Sequence, residues 1–449
     1  MESLPVGLPE EQLISNERRS RLWDIGMRTI QSLEVPEGIL ASGRDEVYGC
    51  VFGRDSLITS LLLLKVYKKT KDTYFLSLVR KILINLGKLQ GTKVNQESGE
   101  EPGKNIHEFR PGNHEHLTKH LTQPWYVYDD NIMRNYDTVD ATPLFLMACK
   151  EYFEVSEDAA FLDEILPYVR ASLSWLSIYG DTNNDAFIDY RFHQDRRFGG
   201  LAVQSWMDSS ESLFFEDNDT RPSYPIASVE VQAYSYAAFV GWGVYFAIED
   251  PQYAKILSEQ AGMLKKRFIE IFVRTDTGKT ALAAGVDGTE TLLTSVRSSM
   301  GHCLWAAPIL HGELPQSILD SAHVSGIVER LMQQDLFIPQ AGIRTLSSLS
   351  SHFEVNSYHN GSIWPHDTGI IAEGLERFGY TDEAQRVRVA LLNSYAHFET
   401  PIELFAYGDE GFEEYRGPSG QSACRTQAWS AAALLATLVS IQDSLQNKN

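Results

Sequence analysis

Phe52-Gly53-Arg54-Asp55-Ser56 runs directly into Leu57-Ile58-Thr59-Ser60-Leu61-Leu62-Leu63-Leu64, so a polar, glycine-bearing turn opens an apolar helix predicted over 54–69. The chain repeats this arrangement. Comparable lead-ins are Tyr136-Asp137-Thr138-Val139-Asp140, Ala227-Ser228-Val229-Glu230, Ser298-Ser299-Met300-Gly301-His302, Trp364-Pro365-His366-Asp367 and Ser422-Ala423-Cys424-Arg425. They recur roughly every 60–90 residues, the signature of a repeating helical hairpin. Helical periodicity gives about twelve helices, at 9–34, 54–69, 72–90, 138–153, 156–178, 226–249, 251–273, 292–310, 322–334, 362–378, 381–398 and 423–445. The intervening helices, such as 72–90 and 381–398, carry more Lys, Arg and Glu and read as solvent-facing. Strand signals are confined to 187–192 and 335–345, and 91–130 is long for a loop. Six hairpins, each with one apolar and one amphipathic helix, describe a double ring: an all-α (α/α)6 toroid whose inner helices start at one mouth. A solenoid of helix pairs has the same periodicity. The expected organisation is one catalytic domain over 1–449.

Composition removes several function classes. A net charge of −21 argues against nucleic acid or an anionic membrane surface as partner. No run of about 18 apolar residues occurs, and the N-terminus lacks a basic region followed by an apolar run. Cys50, Cys149, Cys303 and Cys424 are widely spaced and form no CxxC, so reduced thiols and a cytoplasmic location are expected.

Two carboxylates stand out. Asp208 lies in Gln204-Ser205-Trp206-Met207-Asp208-Ser209 and Glu403 in Thr400-Pro401-Ile402-Glu403-Leu404-Phe405, both polar loops with aromatic residues. Cleavage of a glycosidic bond needs such a pair, one to protonate the leaving oxygen and one to activate water or attack the sugar.

At these loops the sequence resembles the amylo-α-1,6-glucosidase domain of glycogen debranching enzymes, with glucoamylases as more distant relatives. The resemblance runs from Ile39 to Ala431. It rests on Phe52-Gly53-Arg54-Asp55-Ser56-Leu57, Glu101-Pro102-Gly103-Lys104-Asn105-Ile106-His107-Glu108, Val139-Asp140-Ala141-Thr142-Pro143, Trp206-Met207-Asp208-Ser209, Val229-Glu230-Val231-Gln232, Gly361-Ser362-Ile363-Trp364-Pro365-His366-Asp367, Glu403-Leu404-Phe405 and Gln427-Ala428-Trp429-Ser430. It implies the same toroid and hydrolysis of α-linked glucose with inversion, Asp208 as general acid and Glu403 as general base. The family's usual Gln-Gly-Trp-Lys-Asp stands here as Gln204-Ser205-Trp206-Met207-Asp208. In a related glucosidase family a Glu-x-Tyr loop supplies the base, so Glu413, two residues before Tyr415, is the alternative to Glu403.

Further residues are assigned to sugar binding. Arg54 and Asp55 can donate to and accept from adjacent hydroxyls, against the alternative of a capping Asp beside a surface Arg. Trp206 and Trp364 are expected to stack on sugar rings, with Trp429 a weaker case, against ordinary core aromatics. Glu230, within Val229-Glu230-Val231, reads as an auxiliary carboxylate, since an unpaired buried charge is costly. His366, Asp367 and Gln427 complete the set; Asp367 would alternatively balance a helix dipole. No cofactor is expected. Asp181, Asn183 and Asp185 imitate the opening of a calcium loop, but the sixth-position Gly is missing and Phe192 holds the place of the bidentate Glu; an Asp/Asn-rich turn is preferred over a structural calcium.

The leading expectation is an inverting exo-acting α-glucosidase releasing α-1,6-linked or other α-linked glucose from oligosaccharides or glycogen-derived glucans. The alternatives are hydrolysis or phosphorolysis of a small α-glucoside or α-mannoside on the same fold, an epimerase built on His302, His359 and His366, and a non-catalytic carbohydrate-binding toroid.

Overall fold

A computed structural model describes residues 15–119, 121–218, 220–309, 314–418 and 420–446. Twelve helices organise it: α1 (Asn16–Leu33), α2 (Gly53–Thr70), α3 (Thr73–Lys88), α4 (Ala141–Ser156), α5 (Ala159–Ile178), α6 (Val229–Glu249), α7 (Pro251–Ile271), α8 (His302–Trp305), α9 (Ser321–Leu331), α10 (Pro365–Arg377), α11 (Thr381–Phe398) and α12 (Ala428–Gln446). One extra turn, Glu115–Thr118, lies in the long 91–130 segment.

The even-numbered helices form a closed ring. α2 packs on α4, α4 on α6, α6 on α8, α8 on α10, α10 on α12, and α12 back on α2. The odd-numbered helices form an outer layer: α3 backs α2, α5 backs α4, α7 backs α6, α11 backs α10 and α1 backs α12. α9 packs on the 3-10 turn Ser298–Gly301 that leads into α8. This is the (α/α)6 toroid.

Burial explains the two layers. Every residue from Gly53 to Ser60 of α2 and from Val229 to Phe239 of α6 is buried, because an inner helix touches neighbours on all sides. α7 buries only Leu257, Ala261, Leu264 and Phe268, a single stripe at helical spacing. The helix ends differ as well. Asp72, Asp158 and Asp250 cap α3, α5 and α7 with their side chains. The inner helices α2, α4, α6, α8 and α10 carry no side-chain cap; backbone carbonyls take some of their first N–H groups instead, Gly53 donating to His107 and Val229 to Ala284.

Two expectations need correction. The helix over 292–310 shrinks to Ser298–Gly301 and the single turn α8, while Leu292–Leu293 pairs as a strand with Gly285–Val286. Val296, Thr294 and Thr291 favour extended backbone there, and Pro308 ends helical continuation. The strand over 187–192 reduces to one bridge, Tyr190 to Ile226. The 335–345 signal survives as the short hairpin Phe337–Ile338 with Gly342–Ile343. The predicted 9–34 helix is α1, and the beginning of that range lies outside the described residues. Among the described residues, no helix is long and apolar enough to cross a membrane.

Candidate active site

Arg54 and Asp55 occupy the first turn of α2, at the mouth of the ring. Arg54 is 3% exposed and fully engaged: Nε donates to Asp140 Oδ2 at 2.6 Å, Nη1 to Asp208 Oδ2 at 2.9 Å and Nη2 to the Ser205 carbonyl at 2.9 Å. One guanidinium therefore fixes the Ser205–Asp208 segment to two inner helices, since Asp140 immediately precedes α4. Asp140 is held in turn by the Thr138 hydroxyl at 2.7 Å. Burial lifts the Asp208 carboxyl above its ordinary value against the pull of Arg54, and the Asp140 charge adds to the rise. Burial also pushes Asp55 up to about 8.

Glu403 approaches from a different segment and is 1% exposed. Tyr358 Oη–H donates to its Oε1 at 2.5 Å, and the Cys424 N–H donates to its Oε2 at 2.8 Å. Burial still dominates and pushes Glu403 up to about 7. The Tyr358 hydroxyl also meets the Tyr48 hydroxyl at 3.0 Å, and Gln421 Nε2 reaches Tyr48 at 3.3 Å.

These groups share one cleft with a cavity volume of about 50 Å³, lined by Tyr48, Phe52, Arg54, Asp55, Trp206, Asp208, Tyr358, His359, Trp364, Glu403, Gln427 and Trp429. That volume is well below the ~300–1,000 Å³ typical of ligand pockets. The walls are aromatic. Trp364 stacks on His359 with centroids 5.1 Å apart, and Trp206 meets Trp364 edge-on at 5.6 Å. Ser209 Oγ lies 2.6 Å from His359 Nδ1, tying the two walls together. Gln427 is held between the Ala41 carbonyl and the Trp429 Nε1–H.

The structure brings together Arg54, Asp55, Trp206, Asp208, Trp364, Glu403 and Gln427, and it adds Trp429 to the lining. Glu230, His366 and Asp367 are absent from that lining. Glu230 faces a neighbouring cavity and is pushed up to about 7 by burial. His366 stacks face to face on Trp429 at 3.7 Å and meets the Trp206 edge at 5.1 Å. Asp367 Oδ1 lies 2.6 Å from His302 Nε2, and His302 Nδ1 hydrogen-bonds Tyr234. For His366 and Asp367 the physical reason is Trp206, whose ring stacks over His302, the partner of Asp367, at 5.8 Å and meets His366 with its edge; Glu230 instead lies with Ser205 and Met207 on the neighbouring cavity. His359 alone of the three histidines lines the cleft, so they do not converge as an acid–base pair on it. Glu413 is exposed on the hairpin Phe405–Gly408/Gly411–Glu414, paired with Ala406, outside the cleft.

Asp181, Asp185 and Asp189 each offer a carboxylate oxygen within 4.8 Å of the others. Their oxygens already accept turn hydrogen bonds: Asp181 from the Asp185 and Ala186 N–H groups, Asp189 from Thr182. Asn183 donates to Asp185 at 2.9 Å. An Asp/Asn-rich turn accounts for all of these contacts.

Tyr48 and Tyr358 are cleft residues that the sequence did not single out; Phe52 stood only in the α2 lead-in and His359 only in the epimerase alternative. Tyr358 and His359 lie a few residues before Trp364, so proximity to that motif was the available signal.

The family profile described as amylo-alpha-1,6-glucosidase matches residues 124–436. Among solved structures, the chain is similar to a GH63 mannosylglycerate hydrolase from Thermus thermophilus in complex with glucose, at 13% identity and TM-score 0.62, covering 93% of this chain and 100% of that one. The same hydrolase with Tris and D-glycerate gives 14% identity and TM-score 0.62, with 93% and 100% covered. A glycosidase variant in complex with glucose gives 11% identity and TM-score 0.57, with 95% and 99% covered. At these identities the likeness is one of fold. A search of curated proteins finds no match.

Proposed function

The chain belongs to the amylo-α-1,6-glucosidase family of glycosidases, and from that premise we propose that it is an inverting, exo-acting α-glucosidase. The observation that carries the reading is the convergence of Asp208 and Glu403 on one small cleft from segments almost two hundred residues apart. In this reading Asp208 is the general acid. Its carboxyl protonates the glycosidic oxygen as the C1–O bond breaks, and burial favours the protonated form it needs. Glu403 is the general base. It removes a proton from water, whose oxygen attacks C1 from the opposite face and leaves β-glucose. A pKa near 7 matches a base working close to neutral pH.

The remaining lining residues bind sugar. The Asp55 carboxylate lines the cleft and, apart from its own backbone N–H, has no hydrogen-bond partner among the described residues, which places it within reach of sugar hydroxyls. Trp364 and Trp429 offer apolar faces. His366 and Asp367 then act at most through the groups above them, because Trp206 stands between, and Glu230 acts only from the neighbouring cavity.

The substrate is an oligosaccharide or glucan end carrying α-1,6-linked or other α-linked glucose. A second reading keeps both carboxylates and replaces the oligosaccharide by a small α-glycoside; the modest cleft volume favours it.

The test is incubation with panose in phosphate-free buffer, followed by proton NMR of the anomeric signals. Early β-glucose together with maltose is expected. Early α-glucose would exclude inversion. No release from panose, with release from small α-glucosides, would select the second reading. Asp208→Asn and Glu403→Gln are each expected to lose at least about a hundredfold in kcat while still binding glucose; wild-type turnover in either would overturn that residue's role.

A further inference from the structure

The segment that carries Asp208 has a second face. Alternate residues divide between two spaces: Trp206 and Asp208 line the cleft, whereas Ser205 and Met207 line a cavity behind it. That cavity is also lined by Glu230 and by Arg297, which is 4% exposed. Arg297 forms no ion pair within 4.0 Å among the described residues, and the carboxylates of Glu216, Glu230 and Glu211 oppose its charge only from farther away. Its donors go elsewhere. Nη1 donates to the His359 carbonyl at 2.9 Å and touches Met207 Sδ at 3.3 Å. Nη2 donates to the Ser212 carbonyl at 2.8 Å and to Asn360 Oδ1 at 2.8 Å, and Nε donates to Ser295 Oγ at 3.3 Å.

These contacts join two segments. One is 207–212, which holds Asp208. The other is 358–360, in which Tyr358 hydrogen-bonds Glu403. Asn360 strengthens the joint by donating from Nδ2 to the Glu211 carbonyl at 2.7 Å. The planar guanidinium thus bridges the backbone next to the acid and the backbone next to the tyrosine that orients the base. An inverting reaction needs a set gap between its carboxyl groups, and an error of about 1 Å can cost on the order of a hundredfold in rate.

We propose that Arg297 is a positioning residue whose guanidinium, with Asn360, sets the separation of Asp208 and Glu403 by clamping residues 207–212 to residues 358–360. This rests on the acid–base reading above. Met207 meets the guanidinium through its Sδ and brings no charge against it.

The experiment compares wild type, Arg297→Lys, Asn360→Ala and the double variant. Lysine keeps the charge and loses the fork. Both single variants are expected to keep the wild-type circular dichroism and to lose about tenfold to a hundredfold in kcat. KM should stay within about threefold, because the sugar-binding groups are untouched. The double variant should lose little more than the worse single one, since both cut the same joint. Hydrogen–deuterium exchange supplies a readout independent of turnover: 205–212 and 357–362 should speed up together in Asn360→Ala. Folded variants with unchanged kcat, a loss confined to KM, or faster exchange in only one segment would overturn the clamp. Should Arg297→Lys fail to fold, Asn360→Ala decides alone. If the wild type cleaves no α-glucoside, the acid–base reading fails, and the exchange comparison still judges the clamp.

Discussion

Glu403 accepts one hydrogen bond from the Tyr358 hydroxyl and one from the Cys424 N–H, and both favour its ionised form. Burial outweighs them and leaves the group near pH 7. Removing the tyrosine hydroxyl should therefore raise the Glu403 pKa further. As the base must be ionised, the acid limb of kcat/KM, expected near 7 in the wild type, should move to higher pH in Tyr358→Phe; a pH–rate profile checks this, and an unmoved limb counts against Glu403 as base. Asp208 and Glu403 were legible in the sequence because each sits in a loop with a recognisable motif. Tyr358 was not, because a loop tyrosine has no spacing signature and reaches Glu403 only when its loop folds back across 45 residues. Glu230, His366 and Asp367 show the opposite failure. They hold first-turn positions on inner helices, as Arg54 and Asp55 do, yet only the α2 pair lines the cleft. What differs is the Trp206 ring over α8 and α10, and for Glu230 its place on the neighbouring cavity, tertiary features that helix position does not encode.

At the scale of one element, α2 shows why its lead-in contains glycine. A Cβ on Gly53 would lie 2.0 Å from the Ile106 carbonyl oxygen, and the Gly53 N–H donates to the His107 carbonyl at 2.9 Å. The start of α2 is thus pressed against backbone that cannot rotate away. Gly53→Ala is expected to destabilise the fold by about 1–3 kcal/mol and to displace Arg54 and Asp55. Chemical denaturation should show the first effect and a fall in kcat/KM the second. Gly262 in the middle of α7 is the matched control: nothing lies within 4 Å of its Cβ position, so Gly262→Ala should leave activity unchanged and stabilise by about 0.5–1 kcal/mol. Long periodic helices such as α6, α7 and α11 were placed within a few residues from the sequence, because many residues vote for one phase. The fourth inner helix was overestimated. Its apolar run is divided between the Gly285–Val286/Leu292–Leu293 strand pair and α8, and a short buried run fits either structure.

The ring as a whole depends on one contact that periodicity cannot announce, the packing of α12 against α2; without it the same hairpins make an open solenoid. Closing the ring concentrates titratable groups where water is scarce, and this gives the molecule a pH-dependent stability. Asp55 is pushed up to about 8, and Asp189, Glu230 and Glu403 to about 7. Ordinary carboxylates titrate near ~4, so each group adds stability that is fully present below ~4 and is lost as pH rises through its folded value. His107, His359 and His366 are held well below their ordinary value by burial. They add stability that is present above ~6.5 and is lost as pH falls. Between ~4 and ~6.5 the two sets oppose each other. Above ~6.5 the histidines are neutral in both states and only the carboxylates still act. Stability should therefore fall between about pH 6.5 and about pH 8, by on the order of 1 kcal/mol per raised carboxylate. Thermal unfolding at the two pH values should show Tm a few degrees lower at the higher one. Asp55→Asn removes the group with the highest folded value, so its drop across the same interval should be smaller than the wild type's. An equal drop in both proteins would show that Asp55 takes up no extra proton on folding.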